Sequence, residues 1–516
     1  MTPAEITRHL DQRFKLLTRG KRTASTRQQT LRNAIDWSYD LLEERERRVL
    51  RRSSVFSGDF SLSAAQAVVA DAEVDDFEVL ESLTRLVDQS LLVAERGDHE
   101  TRYQFLETIR EYAREQMDEE EVKETSRKHA AHFVTWAQEA GHGLEGRDET
   151  LWRERVDQDL ENLRTALRWN IGSADTEAAL TEVYALSNMF ALSSMPFGTL
   201  ALDAANMPGA ASHPLRAAAL GSAAMTLTQE GAVQKAFECV QAAESALAVL
   251  GDTPAHAKLR CRVRGCLTTP TAYHDPTRLI VLARDGLADA IALGDRYEEM
   301  RALILLSSVL DDDAQDEAIA AGEKGLALAT ELQITSYRAW APMMLATRLA
   351  TIDPGRALAS LDEARAVAVS TDNRWAMIVM GNSVAAVHAA QGQFVEAAYA
   401  VLSNARAAQD IGDEGATLSA IAILAGSFAR LGDVDTALLM GAWATSRGHD
   451  PLHGARANPT YAALGVSDYE NLLASQTAAA DEALRRSAAL KTLDILNIAD
   501  ARLEIRTKPQ DAPIHP

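Results

Sequence analysis

The first residues to weigh in this 516-residue chain are those that could cradle a phosphate. A phosphate-binding loop needs Gly, four residues, then Gly-Lys-Ser/Thr, so that backbone amides and one lysine meet the phosphates. Gly20-Lys21-Arg22-Thr23 comes nearest, but Lys15 stands at the upstream glycine position and Arg22 at the hydroxyl position. Gly322-Glu323-Lys324-Gly325 fails as well and lies within a helical pattern. His129 and His132 share a helix face, yet no third ligand is placed beside them. Cys261 and Cys266 have no second pair, and with Cys239 they are too few for a disulfide framework. Core thiols in a reducing cytoplasm are the expectation. Asp311-Asp312-Asp313 and Glu119-Glu120-Glu121 read as helix-start and solvated charge rather than acid/base pairs. No nucleophile elbow frames a Ser/His/Asp set. The chain is therefore read as non-enzymatic, with no catalytic residue, cofactor or metal ligand assigned.

A different chemistry, contact with DNA phosphates, needs Lys and Arg on one element. The elements that would carry it lie between Thr30 and Ala113. Apolar residues recur there at helical spacing, first Ile35, Tyr39 and Leu42, then Val49, Leu50 and Phe56, then Leu80, Leu83, Leu86 and Val87. A strand Leu91-Leu92-Val93, a turn at Arg96-Gly97-Asp98 and a returning strand Tyr103-Gln104-Phe105 complete a hairpin. Three helices closed by a β-hairpin predict a winged helix. Its third helix, read as Glu78 to Leu92, offers Glu78, Glu81, Arg85 and Asp88; its wing offers Glu95, Arg96, Asp98, Glu100 and Arg102. Arg85, Arg96 and Arg102 are the residues a duplex-reading function would use, but helix and wing are both net acidic. The stretch with Arg45, Arg47, Arg48, Arg51 and Arg52 is more basic, and a solvated face or an intramolecular acidic partner explains it equally well.

This stretch resembles the winged-helix domain of large bacterial STAND regulators, the AfsR-like and LuxR-type proteins and their fusions with nucleotide cyclase domains. The resemblance rests on Thr30-Leu31, Ile35-Asp36-Trp37-Ser38-Tyr39, Leu41-Leu42, Val55-Phe56, Leu86-Val87, Ser90-Leu91-Leu92 and Leu106 to Ala113 (LETIREYA). It implies a transcription-regulating, signal-transducing protein, and that residues 1–29 are the remnant of a lid helix and linker following an ATPase that this sequence lacks. In related animal and plant proteins a Met-His-Asp triplet senses the bound ADP phosphate. The matching positions here are Phe105-Leu106-Glu107. Leu106 cannot donate a hydrogen bond, so Leu106 is expected in the core and Glu107 as a helix N-terminal acid.

Downstream, the sequence repeats. Ala236, Leu279, Ala318, Ala357, Ala397 and Ala437 recur every 39 to 43 residues, each inside an apolar helical segment. Asp275-Pro276 and Asp353-Pro354 mark helix starts; Gly251, Gly294 and Gly412 mark helix ends in the left-handed conformation. Two helices fit each period, so the chain is predicted to be mainly α: a winged helix followed by a TPR-like α-solenoid. The period departs from the usual tetratricopeptide value of about 34.

The expected divisions are a winged helix at 30–116, a helical connector at 117–172, repeats at 173–448, a helical cap at 449–505 and a disordered tail at 506–516. A loop is expected at Gly141-His142-Gly143, and one long helix from Glu470 to Leu503. Val183 to Leu202 is uncharged, but Pro196-Phe197-Gly198 breaks it, and a buried hairpin is expected rather than a membrane span. The net charge of −22 opposes non-specific attraction to nucleic acid or anionic membrane. The expected partners are therefore a protein or small ligand on the solenoid, and an NTPase domain acting in trans with the winged helix. No C-terminal LuxR-type helix-turn-helix is recognisable.

Overall fold

A computed structural model describes residues 32–97, 100–190, 197–230, 232–251, 253–272, 275–310, 312–371, 373–447 and 464–507. They form two compact units, the first drawn from Met1–Thr135 and Asp157–Trp169, the second from Trp136–Val156 and Asn170–Pro516. The segment expected as a connector is thus shared between them. The expected lid remnant, residues 449–463 of the expected cap and residues 508–516 of the expected tail lie outside the described residues, while Arg506 and Thr507, expected in the tail, end a helix instead.

In the first unit, residues 32–40 form a helix (α1). It is followed by α2 (Glu44–Ser53), β1 (Phe60–Ser61), α3 (Leu62–Val69), α4 (Asp76–Asp88), β2 (Val93–Arg96), β3 (Thr101–Gln104) and α5 (Glu107–Glu115). The winged-helix trio is α2, α3 and α4, so the three-helix count holds but its assignment shifts. Short α3 has no long periodic run to betray it. The sheet has three strands in the order β1-β3-β2, one more than the expected hairpin, with Phe60 opposite Tyr103. A two-residue strand carries no alternation that a sequence reading can detect.

Local chemistry sets the corrected boundaries. Asp75 and Glu78 form a reciprocal capping box, which starts α4 before Glu78. Ser90 then adopts a left-handed φ of 59°, and the Leu91 N–H donates to Leu86 O at 2.9 Å. Leu91 and Leu92 are consequently buried turn residues, and β2 begins only at Val93. Phe56 and Phe60 stack with centroids 4.3 Å apart, and Phe133 meets Phe56 edge-on. Phe133 belongs to α6 (Glu119–Gly143), which runs straight through the glycines expected as a loop; the turn comes at residues 144–148.

The second unit continues with α7 (Glu149–Gln158), α8 (Leu160–Gly172), α9 (Thr176–Ala185), α10 (Ser187–Phe190) and α11 (Gly198–Ala205). Six helical hairpins follow. Their first helices are α12 (Arg216–Gln229), α14 (Ala257–Ala272), α16 (Arg296–Val309), α18 (Thr335–Leu349), α20 (Arg374–Ala390) and α22 (Glu414–Arg430). Their second helices are α13 (Val233–Leu250), α15 (Pro276–Leu293), α17 (Gln315–Glu331), α19 (Pro354–Ser370), α21 (Phe394–Asp410) and α23 (Val434–Thr445). Every one of the six repeating positions, Ala236 to Ala437, sits on a second helix and is buried. Asp353 caps α19 as expected, donated to by the Arg356 N–H at 3.0 Å. Gly294 takes the left-handed cap and Gly412 has a positive φ of 77°, whereas Gly251 has a positive φ with an extended ψ of 175°.

Successive first helices from α12 to α20 pack closely on one another, whereas neighbouring second helices meet through side-chain ion pairs such as Arg278 with Glu244 at 2.9 Å and Arg284 with Glu317 at 2.8 Å, and the more closely packed first helices form the concave side. The α12 helix also reaches α22, bringing the first hairpin against the sixth. α24 (Val466–Ser475), α25 (Thr477–Ser487) and α26 (Thr492–Thr507) pack on α22, α23 and α21, three helices where one was expected. No helix among the described residues is long and apolar enough to cross a membrane, and Val183 to Leu202 is divided among α9, α10 and α11.

The contact of α12 with α22 depends on a missing side chain. A Cβ on Gly415 would lie 2.3 Å from Gln229 O, which is backbone and cannot swing away. Gly415→Ala is expected to destabilise the second unit by about 1–3 kcal/mol through overpacking. Gly172→Ala, with no neighbour within 4 Å, should be neutral or slightly stabilising. Urea titration of the two variants checks this.

Candidate functional site

Two surfaces were candidates, and the winged unit is the first. Arg85 projects half-exposed from α4, where Glu46 accepts its hydrogen bond at 3.0 Å and Glu43 at 3.4 Å. The hydrogen bond to Glu46 and the charge of Glu43 raise its pKa. Arg96 is exposed on β2, opposite Thr101. Arg102 is buried: Asp159 lies at 2.6 Å, Glu100 at 2.9 Å and Asp59 at 3.1 Å. Burial opposes its charge, but the Asp159 hydrogen bond and field outweigh that and hold it protonated. Of the three arginines weighed for DNA, two face solvent and one is engaged inside the unit.

The basic helix α2 is matched by carboxylates. Arg45 meets Glu78 at 3.2 Å, Arg48 meets Asp71 at 3.6 Å, and Arg51 meets Glu121 at 3.2 Å. Arg52 bridges Asp71 at 2.6 Å and Glu121 at 3.3 Å, while Arg47 donates to Tyr39 O at 3.0 Å. Leu106 corrects the sequence reading: it is the N-cap of α5 and 55% exposed, not core. Glu107 opens α5 as expected and accepts from Arg110 at 2.8 Å. Trp37, Leu41 and Phe77 are exposed at 68%, 62% and 64%.

The metal and thiol candidates sit in packed surroundings. His129 lies edge-on to Phe56, and burial carries its imidazole down to about 3, so it is neutral. Cys239, Cys261 and Cys266 are buried free thiols, with burial pushing Cys261 up to about 12. Among the described residues no three His, Cys, Asp or Glu side chains are grouped to hold a metal.

The second surface, which the sequence reading missed, lies on the concave helices α14, α16 and α18. Lys258 donates to Glu145 at 2.8 Å and pairs with Asp295 at 3.3 Å. Arg262 bonds Glu145, meets Glu298 at 3.3 Å, and stacks over Tyr184 at 5.2 Å from the ring centroid. Arg301 bonds Glu298 at 2.8 Å and donates to Tyr337 Oη at 3.1 Å. The Ser336 N–H donates to Glu149 at 2.9 Å, and the Ser336 hydroxyl bonds the same carboxylate. Burial would neutralise Glu145, but Arg262 and Lys258 outweigh it and hold the carboxyl below its ordinary range. Gly265 makes the room, since a Cβ there would meet the Arg301 guanidinium at 2.6 Å.

One signal could have found this cluster. Lys258, Tyr297 and Ser336 stand 39 residues apart, as do Arg262 and Arg301, and Glu298 and Tyr337. The repeat that spaces small residues on the second helices also spaces polar ones on the first.

Comparison with known proteins adds the following. The model of a winged helix-turn-helix domain matches residues 42–118. A Mycobacterium tuberculosis (strain ATCC 25618 / H37Rv) protein, provisionally named an HTH-type transcriptional regulator, is 40% identical over 170 residues, or 33% of this chain and 19% of that protein. An uncharacterised protein of the same strain is 36% identical over 120 residues, 23% of this chain and 30% of that protein. The chain thus spans less than a third of either relative. The crystal structure of a Signal Transduction ATPase with Numerous Domains protein with a tetratricopeptide repeat sensor, from Pyrococcus horikoshii, aligns over 87% of this chain and 66% of its own, at TM-score 0.46 and 14% identity. The chain contains a winged helix-turn-helix domain, followed by a helical-repeat solenoid.

Two outcomes follow from the charge geometry. Burial pushes the Asp71 carboxyl up, but the Arg52 hydrogen bond and the N–H groups of Glu73 and Val74 outweigh it and bring it from 3.8 down to about 2. Its contribution is present above the unfolded value and is lost as pH falls through the folded one. Wild-type stability should therefore fall between about pH 4 and pH 2, and Asp71→Asn should flatten that window in acid-denaturation curves. In the concave cluster, Arg262→Ala leaves buried carboxylates short of a partner and should cost about 3–5 kcal/mol in urea melts. Arg485→Ala, from an exposed pair with Glu482, should change stability by no more than about 0.5 kcal/mol.

Proposed function

We propose that this chain serves a regulatory protein in which the solenoid receives a partner and the winged unit relays that event by docking on another protein domain. The single observation that carries this reading is the state of the winged unit's charge. The arginines of α2 and α4 that could meet phosphate have partners within the unit, while Trp37, Leu41, Phe77 and Leu106 stand exposed. Apolar groups at a surface favour a protein interface, whereas duplex binding draws on free cations. The STAND resemblance gives the docking partner its class, a nucleotide-binding domain supplied in trans, and the AfsR-like or LuxR-type subtype belongs to this proposal. The similarity to a mycobacterial protein named as a transcriptional regulator supports the regulatory reading. A mild-salt pull-down with the tagged chain should recover a partner that is lost when Trp37 and Leu41 are changed to Asp. Recovery of none would count against the relay.

A second reading is direct DNA binding, favoured by the winged helix-turn-helix match over residues 42–118. It predicts salt-sensitive binding in which Arg85→Glu and Arg96→Glu each weaken affinity and reduce the slope of log K against log salt by about one. The relay reading expects the intact chain to show no retarded complex with a 25-base-pair duplex at low salt; a complex that weakens in both variants would replace it.

A further inference from the structure

The carboxylates at the centre of the concave cluster do not belong to the solenoid's own repeats. Glu145 lies in the turn after α6, and Glu149 is the first residue of α7. They meet cations and donors from α14 and α18: Lys258 and Arg262 on one carboxylate, the Ser336 N–H and hydroxyl on the other. Asn188 adds a hydrogen bond to Glu145 at 3.3 Å. Without the turn, the face would hold Lys258, Arg262 and Arg301 against only Asp295 and Glu298, an excess of one positive charge. The turn brings two negative charges, and Arg153, which pairs with Glu149 at 3.8 Å, restores neutrality.

We propose that the concave face is a receptor for an acidic peptide, held closed in this state by the chain's own Glu145–Glu149 turn. The preferred peptide carries two carboxylates four residues apart, the spacing of the two residues it displaces. This deepens the reading of the solenoid as the receiving element and rests on it. The energetics allow exchange. A buried ion pair roughly breaks even against its desolvation, so it specifies geometry more than it stabilises. The turn's advantage is its tether, which supplies an effective concentration of order millimolar. An incoming peptide that reproduces both carboxylates and adds contacts along α14, α16 and α18 can outcompete it. Displacement would free the turn at residues 144–148 that follows α6.

The test uses the full chain and a fluorescein-labelled peptide copying residues 143–154, GLEGRDETLWRE. Glu145→Gln with Glu149→Gln, in the chain, should loosen the turn, and the labelled peptide should then bind at least tenfold more tightly than to wild type. The same peptide with Gln at both positions should lose that binding, and salt should weaken it. Glutarate at millimolar concentration should fail to compete; if it competes as well as unlabelled peptide, the peptide assignment is overturned. Absence of saturable binding to a double variant of native circular dichroism and melting temperature overturns the proposal. Should the variant misfold, hydrogen exchange in wild type decides: excess peptide must raise exchange at residues 144–149, and unchanged exchange refutes it. None of these readouts involves the winged unit's docking partner or DNA, so failure here leaves the relay reading to its own test.

Discussion

The close approach of paired helices at small side chains is the constraint from which the second unit is built. Ala236, Ala318, Ala357, Ala397 and Ala437 are buried on the second helices, where a small side chain permits close helix approach, and Leu279 takes the same buried position in the remaining repeat. One hairpin so formed still exposes an apolar face, and only stacking hides it. Because successive first helices pack more closely than successive second helices, which meet through ion pairs such as Arg284 with Glu317, the stack curves, and the curvature brings α12 round to α22 at Gly415. Close packing on the second helices therefore determines what the first helices can do. Crowded on the inner side, they place side chains from three hairpins within one hydrogen-bonding network.

That network explains why charged residues tolerate burial there. Arg262, Glu298 and Arg301 are each at most 7% exposed, a placement that costs several kcal/mol per ion unless every charge is met. Each is met by a partner from another turn or another helix, and Gly265 vacates the volume the Arg301 guanidinium occupies. The cluster is unlike the exposed ion pairs of the outer surface, such as Arg485 with Glu482, where water screens both groups. It is also unlike the α2 network, where Asp71 and Glu121 each serve two arginines and leave the helix little free positive charge.

The parts of this architecture that were legible in the sequence are those written as periodicity. Repeating small residues gave the solenoid, and Gly-Asp or Asp-Pro pairs marked helix joints where φ must turn positive or an N-terminus must be capped. The winged helix was legible as a class, but its boundaries moved. A capping box at Asp75 and a left-handed Ser90 overrode the apolar run through Leu92, and a two-residue strand at Phe60 left no pattern. Gly141 and Gly143 suggested a loop, but both are packed inside α6, one against the Ala185 backbone and the other against Trp152. The concave cluster was illegible for a different reason. Its members come from residues 145 to 337, and only the superposition of repeats shows that Lys258, Tyr297 and Ser336 share a position.

Leu106 shows how burial and function separate in such a chain. An apolar residue between a strand and a helix is expected to pack inward, yet here it caps α5 with its side chain mostly in water. A leucine contributes nothing to an N-cap, because it offers no oxygen to the free amides of the first turn. Serine or aspartate there would stabilise α5 by about 1 kcal/mol. Neither the core nor the helix benefits from the leucine. Trp37 on α1 and Leu41 in the turn that ends it, whose N–H donates to Trp37 O at 3.3 Å, are in the same position. Single exposed apolar residues are ordinary, but an apolar cap that forgoes stability, on a unit where the arginines of α2 and the Arg85 of α4 have internal partners, is the pattern that the proposed docking surface would explain.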